Sequence, residues 1–362
     1  MTKNFPDMQG PACPVPLQHK KKVVLGHGSG GQMSQDLIAS MFLPPFDNPY
    51  LRANDDAGVV GVILDQGFGE EISGRLAIST DSHVVWPLFF PGGDIGRLAV
   101  CGTVNDVAMM GATPNYLTAG FILEEGLNFE VLEKVVGSMH DAALEANITI
   151  IAGDTKVVQK GKADLLYINT TGIGIVPPGL EISGANAQPG DIVILSGSIG
   201  DHGIAVLEAR QELGFTSGIQ SDIAPLNHLV NAILNVSNQV HTMRDPTRGG
   251  LATSLNEIAR QSKVCIFLEE NSIPIKPGVA AACEILGFDP LFIANEGKLI
   301  VIVGRDDADN VIEAMHAERY GEEAVIIGEV KPEPQSRVLM RTPIGSTRVV
   351  GILSGEMLPR IC

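Results

Sequence analysis

From residue 54 onward, short apolar runs alternate with stretches in which apolar positions recur every three or four residues. That is the pattern of strands interleaved with amphipathic helices. NDDAGVVGVIL, RLAISTDSHVV, ITIIAGDTKVV and LLYINTTGIGIV read as strands. PGGDIGRLAVCGTVNDVAMMGA and NFEVLEKVVGSMHDAALEAN have helical spacing. A stretch dense in Pro and Gly, PPGLEISGANAQPGD, then reads as a connector.

A second cycle follows. DIVILSGSIGDHGIAVLEAR reads as strand, glycine turn and helix, and LNHLVNAILN, LATSLNEIARQS, AAACEILGF and ADNVIEAMHAERYG as helices. VCIFLEE, LFIANEGKLIVIV and AVIIGEV supply further strands. No repeat of solenoid period appears. The expected architecture is α/β (α+β) in two loosely similar halves: a leader at 1–21, a first domain at 22–176 and a connector at 177–189. A second domain at 190–340 and a mobile tail at 341–362 complete it.

Composition narrows the function classes. A chain of 362 residues exceeds a typical single core. Its 25 basic and 42 acidic residues give a net charge of −17, which repels phosphate backbones and argues against nucleic acid as a partner. A nucleotide would have to be held through a divalent cation. Five scattered cysteines, Cys13, Cys101, Cys265, Cys283 and Cys362, form neither a zinc motif nor a disulfide framework. With no apolar signal region and no membrane-spanning run, the expected compartment is the reducing cytoplasm.

The acids carry the first chemical signal. Asp55 and Asp56, Asp81, Asn105 and Asp106, and Asp154 read as standing at the ends of short strands. Such residues are either turn-formers and helix caps or, if strand ends share one edge, a magnesium site whose carboxylates a cation holds together. GHGSGG, with Gly28, Ser29, Gly30 and Gly31, opens a helix and is either a phosphate cradle or a flexible loop. It lacks the Lys-Ser/Thr of a Walker A motif. MRDPTRGG places Asp245, Thr247, Gly249 and Gly250 before a second helix, where an anion would be favoured.

Lys156, just after Asp154 and Thr155, is expected at the metal edge as a phosphate-neutralising cation, or else is an acid-paired surface lysine. Glu296, beside Gly297, is either a base or a solvated cap. The chain closes on LPRIC, and Gly351 and Gly355 upstream of it supply backbone freedom. Fully extended, this segment spans about 40 Å at most, so Cys362 reads either as a tethered thiol or as an incidental terminus.

GHGSGG, NDDAG, STDSHVV, FFPGGDIGRLAVCGTVNDVAMMGATP, AGDTKVV, MRDPTRGGLATSLNEIA, ANEGKL and the terminal PRIC together resemble the HypE family of NiFe-hydrogenase maturation. That family lies within the PurM-like superfamily of aminoimidazole ribonucleotide synthetase and selenophosphate synthetase. The likeness runs from about residue 23 to 362 and departs mildly, in a longer leader with Cys13 and in DDAG where a second alanine is expected.

The resemblance implies a PurM-like fold whose N-terminal halves pair in a homodimer and close a β-barrel, with ATP near the interface. It implies that Gly28, Ser29, Gly30 and Gly31 cover the nucleotide. Asp55, Asn105, Thr155, Asp245, Thr247, Gly249 and Gly250 would face nucleotide or phosphate, and Asp56, Asp81, Asp106 and Asp154 would hold Mg2+. Cys362 would take a carbamoyl group from the carbamoyltransferase HypF and, once the group is dehydrated, pass cyanide to iron on a HypC–HypD scaffold. Lys156 would assist phosphoryl transfer and Glu296 would act as base. The rivals are another PurM-like ATP-dependent enzyme, of the selenophosphate or thiamine phosphate type, and a non-enzymatic thiol carrier.

Overall fold

A computed structural model describes residues 23–28, 30–65, 71–210, 218–352 and 361. Three short helices, Gln32–Leu37 (α1), Leu43–Phe46 (α2) and Pro49–Ala53 (α3), precede the first sheet. Asn48 caps the last of them, its side-chain oxygen accepting from the N–H groups of Tyr50 and Leu51.

The first sheet contains Gly58–Asp65 (β1) and Glu71–His83 (β2), and a small separate hairpin, Phe89–Phe90 (β3) with Gly93–Asp94 (β4), follows them. Thr113–Glu124 (β5), Thr149–Val158 (β6) and Leu166–Val176 (β7) complete the sheet in the order β1-β2-β7-β5-β6. Its pairings are antiparallel except β5 with β6. That parallel pair needs a crossover, which the helix Phe129–Glu145 (α5) supplies.

Helix Ile95–Met109 (α4) lies on β7 and is nearly all buried. The Asp94 carboxylate starts it, accepting from Gly96 N–H at 2.7 Å and Arg97 N–H at 3.2 Å. Close approach depends on Gly172 and Gly174. A Cβ on the first would sit 2.8 Å from Thr103, and on the second 2.5 Å from Val107. β7 alternates strictly, its even positions buried and its odd ones facing outward. The outward face keeps Ile78, Tyr116, Ile122 and Ile175 exposed, and β6 is exposed along nearly its whole length.

The second sheet has seven strands: Ile192–Leu195 (β8), Val240–Arg244 (β9), Cys265–Glu269 (β10), Ile300–Val303 (β11), Val325–Lys331 (β12), Arg337–Arg341 (β13) and Thr347–Val350 (β14). Their order is β14-β13-β10-β12-β8-β11-β9. Helices Asp201–Ala209 (α6), Asn227–Val236 (α7), Gly250–Ser262 (α8), Pro277–Leu286 (α9) and Ala308–His316 (α10) surround it. β8 and β11 are buried on both faces. Leu251, Leu255 and Ile258 of α8 cover one side, and Leu229, Ile233 and Val311 cover the other. Two-sided burial explains why IVIL and IVIV are unbroken apolar runs.

Two expectations change, on the tail and on the acids, and the barrel stands as a matter for two chains. Residues 347–350 are not loose tail but a strand, and Asn256 Nδ2 donates to the Val350 carbonyl at 3.0 Å. Both sheets are open within the single chain, so a barrel would need a second copy. The acids also do not end strands on a common edge. Asp56 precedes β1, Asp81 lies within β2, Asn105 and Asp106 ride on α4, and Asp154 is inside β6. A largely antiparallel sheet has no single carboxyl edge at which they might gather. Among the described residues, no helix is long and apolar enough to cross a membrane.

Candidate active site at the domain seam

The acids meet by another route, where the first sheet faces the loops of the second domain. Asp106 projects from α4 and accepts from Ser79 Oγ at 2.7 Å. Asp245 follows β9 directly, and Glu296 precedes β11. Burial pushes the Asp106 carboxyl well above its ordinary range, and the charges of Asp245, Asp81 and Asp56 push it further. Asp245 is raised well above its usual value by burial and then by Asp56. Glu296, only 3% exposed, is driven well up by burial first and next by Asp245, Asp81 and Asp222.

Asp56 is raised by burial, against the pull of Arg244, whose Nε donates to it at 2.8 Å. Arg244 also holds Glu257 at 3.0 Å. Asp245 Oδ2 and Glu296 Oε1 are buried without a hydrogen-bond partner. Hard carboxylate oxygens that repel one another, two of them unsatisfied, suit a divalent cation with oxygen preference. Among the described residues of one chain, however, no three metal-ligating side chains stand close enough to form a complete site.

The glycine loops shape the site's upper wall. Gly249 and Gly250 have φ of +78° and +61°, and a Cβ on Gly250 would lie 2.6 Å from the carbonyl oxygens of Leu291 and Ile293. This tight passage seats the 245–250 turn against the loop that carries Glu296. Gly250 N–H donates to the Thr247 carbonyl at 2.9 Å, and Asn295 Nδ2 donates to the Pro246 carbonyl at 3.0 Å. From the N-terminal side, Gly30 has φ of +78°, and its Cβ would sit 2.8 Å from Arg248 Cβ. Arg248 Nη1 donates to the Gly28 carbonyl at 3.3 Å, and Nη2 lies 3.5 Å from Asp81. Gly31 caps α1. The GHGSGG segment therefore closes onto the second domain through Arg248. Ser29 lies outside the described residues.

Several expected ligands do other work. Asn105 Nδ2 donates to the Ala224 carbonyl at 3.0 Å, and its Oδ1 accepts from Leu226 N–H at 2.8 Å, which ties α4 to the second domain. Asp55 accepts from Ser183 Oγ and from Gly184 N–H, and so clamps the connector. Lys156 Nζ donates to Asp154 at 2.6 Å, and both side chains are 68% exposed. The Lys156 hydrogen bond holds the Asp154 carboxyl below its ordinary range. Thr155 between them is exposed as well. β6 and β2 are three strand spacings apart, about 14 Å. Within one chain Lys156 is thus an acid-paired surface lysine, not a member of the acidic cluster.

The sequence left three members of this region unnoticed. Arg248 stands inside the MRDPTRGG motif, between Thr247 and Gly249, without a role read from the sequence. Asp222 Oδ1 accepts from Glu296 N–H at 3.0 Å, and its Oδ2 lies 3.6 Å from Lys298 Nζ. His202 is buried in the same seam. Cys362 lies outside the described residues, but Ile361 before it is buried in the apolar cluster that also holds Val206, Ile223 and Ala294. Cys101, Cys265 and Cys283 are buried free thiols. Burial pushes Cys101 up to about 12 and Cys283 to about 11, so neither supplies a thiolate near neutral pH.

The raised carboxyls give a stability prediction. A carboxyl whose folded pKa exceeds its unfolded value binds more protons when folded, so its contribution is full in acid and is lost as pH rises through the folded pKa. The cation-free protein should therefore melt higher at pH 5.5 than at pH 8. Asp245→Asn should raise Tm at pH 8 by about 3 °C and flatten the pH dependence. A melting scan in chelator reads this, and a lower Tm in the variant would mean that the carboxylate is paired in the fold.

Comparison with known proteins covers nearly the whole chain. Residues 54–176 match the model for the N-terminal domain of AIR synthase related protein, and 188–341 match that for its C-terminal domain. A carbamoyl dehydratase HypE from Cupriavidus necator is 51% identical over 348 residues, covering 96% of this chain and 97% of that protein. A solved HypE–HypF complex contains a chain that is 49% identical with TM-score 0.81, covering 88% of this chain and 99% of its own. HypE solved in complex with ATP is 48% identical with TM-score 0.77, covering 94% and 100%.

Proposed function

The chain belongs to the HypE family of carbamoyl dehydratases, which serve hydrogenase maturation, and we propose from this that Cys362 carries the group it dehydrates. The observation that supports this assignment is the burial of Ile361 in the seam that holds Glu296. The residue before this thiol is held by His202, whose partner Ser221 adjoins the Asp222 that accepts from the Glu296 N–H.

The chemistry follows from a poor leaving group. A primary amide releases its oxygen with difficulty, whereas phosphate leaves readily. In the proposed reaction the carbamoyl oxygen of the S-carbamoyl cysteine takes the γ-phosphoryl group of ATP, and its nitrogen gives up one proton. The C–O bond then breaks with departure of phosphate, the nitrogen loses its second proton, and a thiocyanate, ADP and phosphate remain. Glu296 is suited to accept these protons, because a carboxyl with raised proton affinity is the stronger base once ionised. Gly28, Gly30, Gly31, Thr247, Gly249 and Gly250 would line the nucleotide, with Arg248 joining the two loops. Mg2+, held by Asp56, Asp81, Asp106 and Asp154, would neutralise phosphate charge as in other phosphoryl transfers.

A homodimer makes this set complete. The apolar outer face of the first sheet, with Ile78, Tyr116, Ile122 and Ile175 exposed, is the surface a second copy would cover. Closing the two open sheets into a barrel would lay β6 against the other chain. Asp154 and Lys156 would then serve that chain's acids, which they are too far away to serve in their own. HypF as the carbamoyl donor and HypC–HypD as the cyanide acceptor complete the proposed cycle, in a soluble compartment.

Mass spectrometry of the C-terminal peptide tests the assignment. After incubation with HypF, carbamoyl phosphate and ATP, it should gain a carbamoyl group and then lose water to become cyano. A carbamoyl group found on any other residue would reject Cys362 as the carrier.

A further inference from the structure

His202, the second residue of α6, is fully buried and touches Ile361 directly. Its Nε2 lies 2.9 Å from the carbonyl oxygen of Ile361, and its Nδ1 lies 2.8 Å from Ser221 Oγ. Ile223 N–H donates to the same hydroxyl oxygen at 3.3 Å. With that lone pair taken, the hydroxyl hydrogen is free to point at Nδ1. Nδ1 therefore accepts and Nε2 carries the proton, the tautomer that donates to Ile361. Burial also lowers the His202 pKa, which keeps the ring neutral. The Phe90 ring meets the imidazole edge to face, with centroids 5.5 Å apart and planes at 85°.

The anchor draws on both domains. Phe90 comes from the first, and His202, Ser221, Ile223 and Ala294 come from the second. Ile361 packs in the same apolar cluster as Phe90, Val206, Ile223 and Ala294. One loop also does two jobs: Ser221 orients the imidazole that holds the tail, and Asp222 beside it accepts from the backbone N–H of Glu296.

We propose that His202 is the positioning residue for the reacting tail. It fixes the last carbonyl before the thiol, and the 221–222 loop keeps that fixed point in register with the base. This rests on the reading that Cys362 carries the carbamoyl group, although the anchoring itself is measurable without any turnover.

Two readouts on the full-length protein test it. In the first, iodoacetamide alkylation of Cys362 is followed by mass of the C-terminal peptide in the absence of ATP. His202→Phe, which removes the donor but keeps the ring, should be alkylated about fivefold faster than wild type, the worth of one buried hydrogen bond. His202→Gln, whose amide can still donate, should recover most of the protection. Ser221→Ala, which loosens the tautomer but spares the ring, should fall between them.

The second readout is single-turnover dehydration of protein already carbamoylated by HypF. It should slow about fivefold in His202→Phe, while carbamoyl loading, which needs the same thiol released from the body, is at least as fast as in wild type. Wild-type alkylation and dehydration rates in His202→Phe would overturn the proposal, as would equal defects in the Phe and Gln variants. Altered alkylation with no dehydration even in wild type would uphold the anchor and reject the functional reading on which it rests.

Discussion

Deleting Cys362 should abolish thiocyanate formation, with turnover below detection, and leave the fold and ATP binding intact. The argument is chemical. The carbamoyl group needs a sulfur that can become a thiolate, and the described alternatives cannot supply one. Cys101, Cys265 and Cys283 are buried, and burial raises the pKa of each. Cys362→Ser should be equally inactive, because an alcohol is a far weaker nucleophile than a thiol near neutral pH. Loading by HypF, followed by mass, would read zero carbamoyl on either variant, while the melting temperature of Cys362→Ser, which exchanges a single atom, stays within about 1 °C of wild type. Dehydration by the shortened chain would show that the group rides elsewhere.

Glu296→Gln should separate the two half-reactions. The substitution keeps size and hydrogen-bonding shape but cannot take a proton. Loading of Cys362 should proceed at the wild-type rate, and single-turnover dehydration should fall about a thousandfold, within the range for loss of a general base. Equal dehydration rates would assign the proton transfer to another group. Mixing this variant with Lys156→Ala tests the dimer as well. If Lys156 serves the other chain, each mixed dimer holds one site with both groups intact, and activity returns on subunit exchange. If it serves its own chain, every site in the mixture lacks one of the two and nothing is regained.

The sequence displayed the alternation of strands and helices clearly, because β8 and β11 are unbroken apolar runs and α8 has a clean apolar face. It also displayed the site's residue types. What it hid was how they meet. Asp106 looked like a strand-end acid but sits mid-helix, brought to the seam because glycines at 172 and 174 let α4 press onto β7. Asn105 and Asp55 looked like ligands, yet Asn105 is committed to backbone across the seam and Asp55 to Ser183 and Gly184 of the connector, uses that only tertiary structure reveals. Lys156 reads as standing at the metal edge because apolar ITIIAG precedes it, but those residues form an edge strand whose covering surface would lie on another molecule. His202 gave no signal, since a lone histidine in a helix start has no spacing to read.

The exposed β6 has a consequence for the chain before it finds its twin. An uncovered border of ten residues offers unpaired amides to any stray peptide that can lie alongside, which is how unwanted stacking begins. Asp154 and Lys156, side by side in the middle of that border, bring opposite charges that a greasy intruder must dehydrate and cannot match. The same two residues proposed to serve a neighbour's chemistry would thus also guard newly made protein against clumping, so their retention need not answer to catalysis alone.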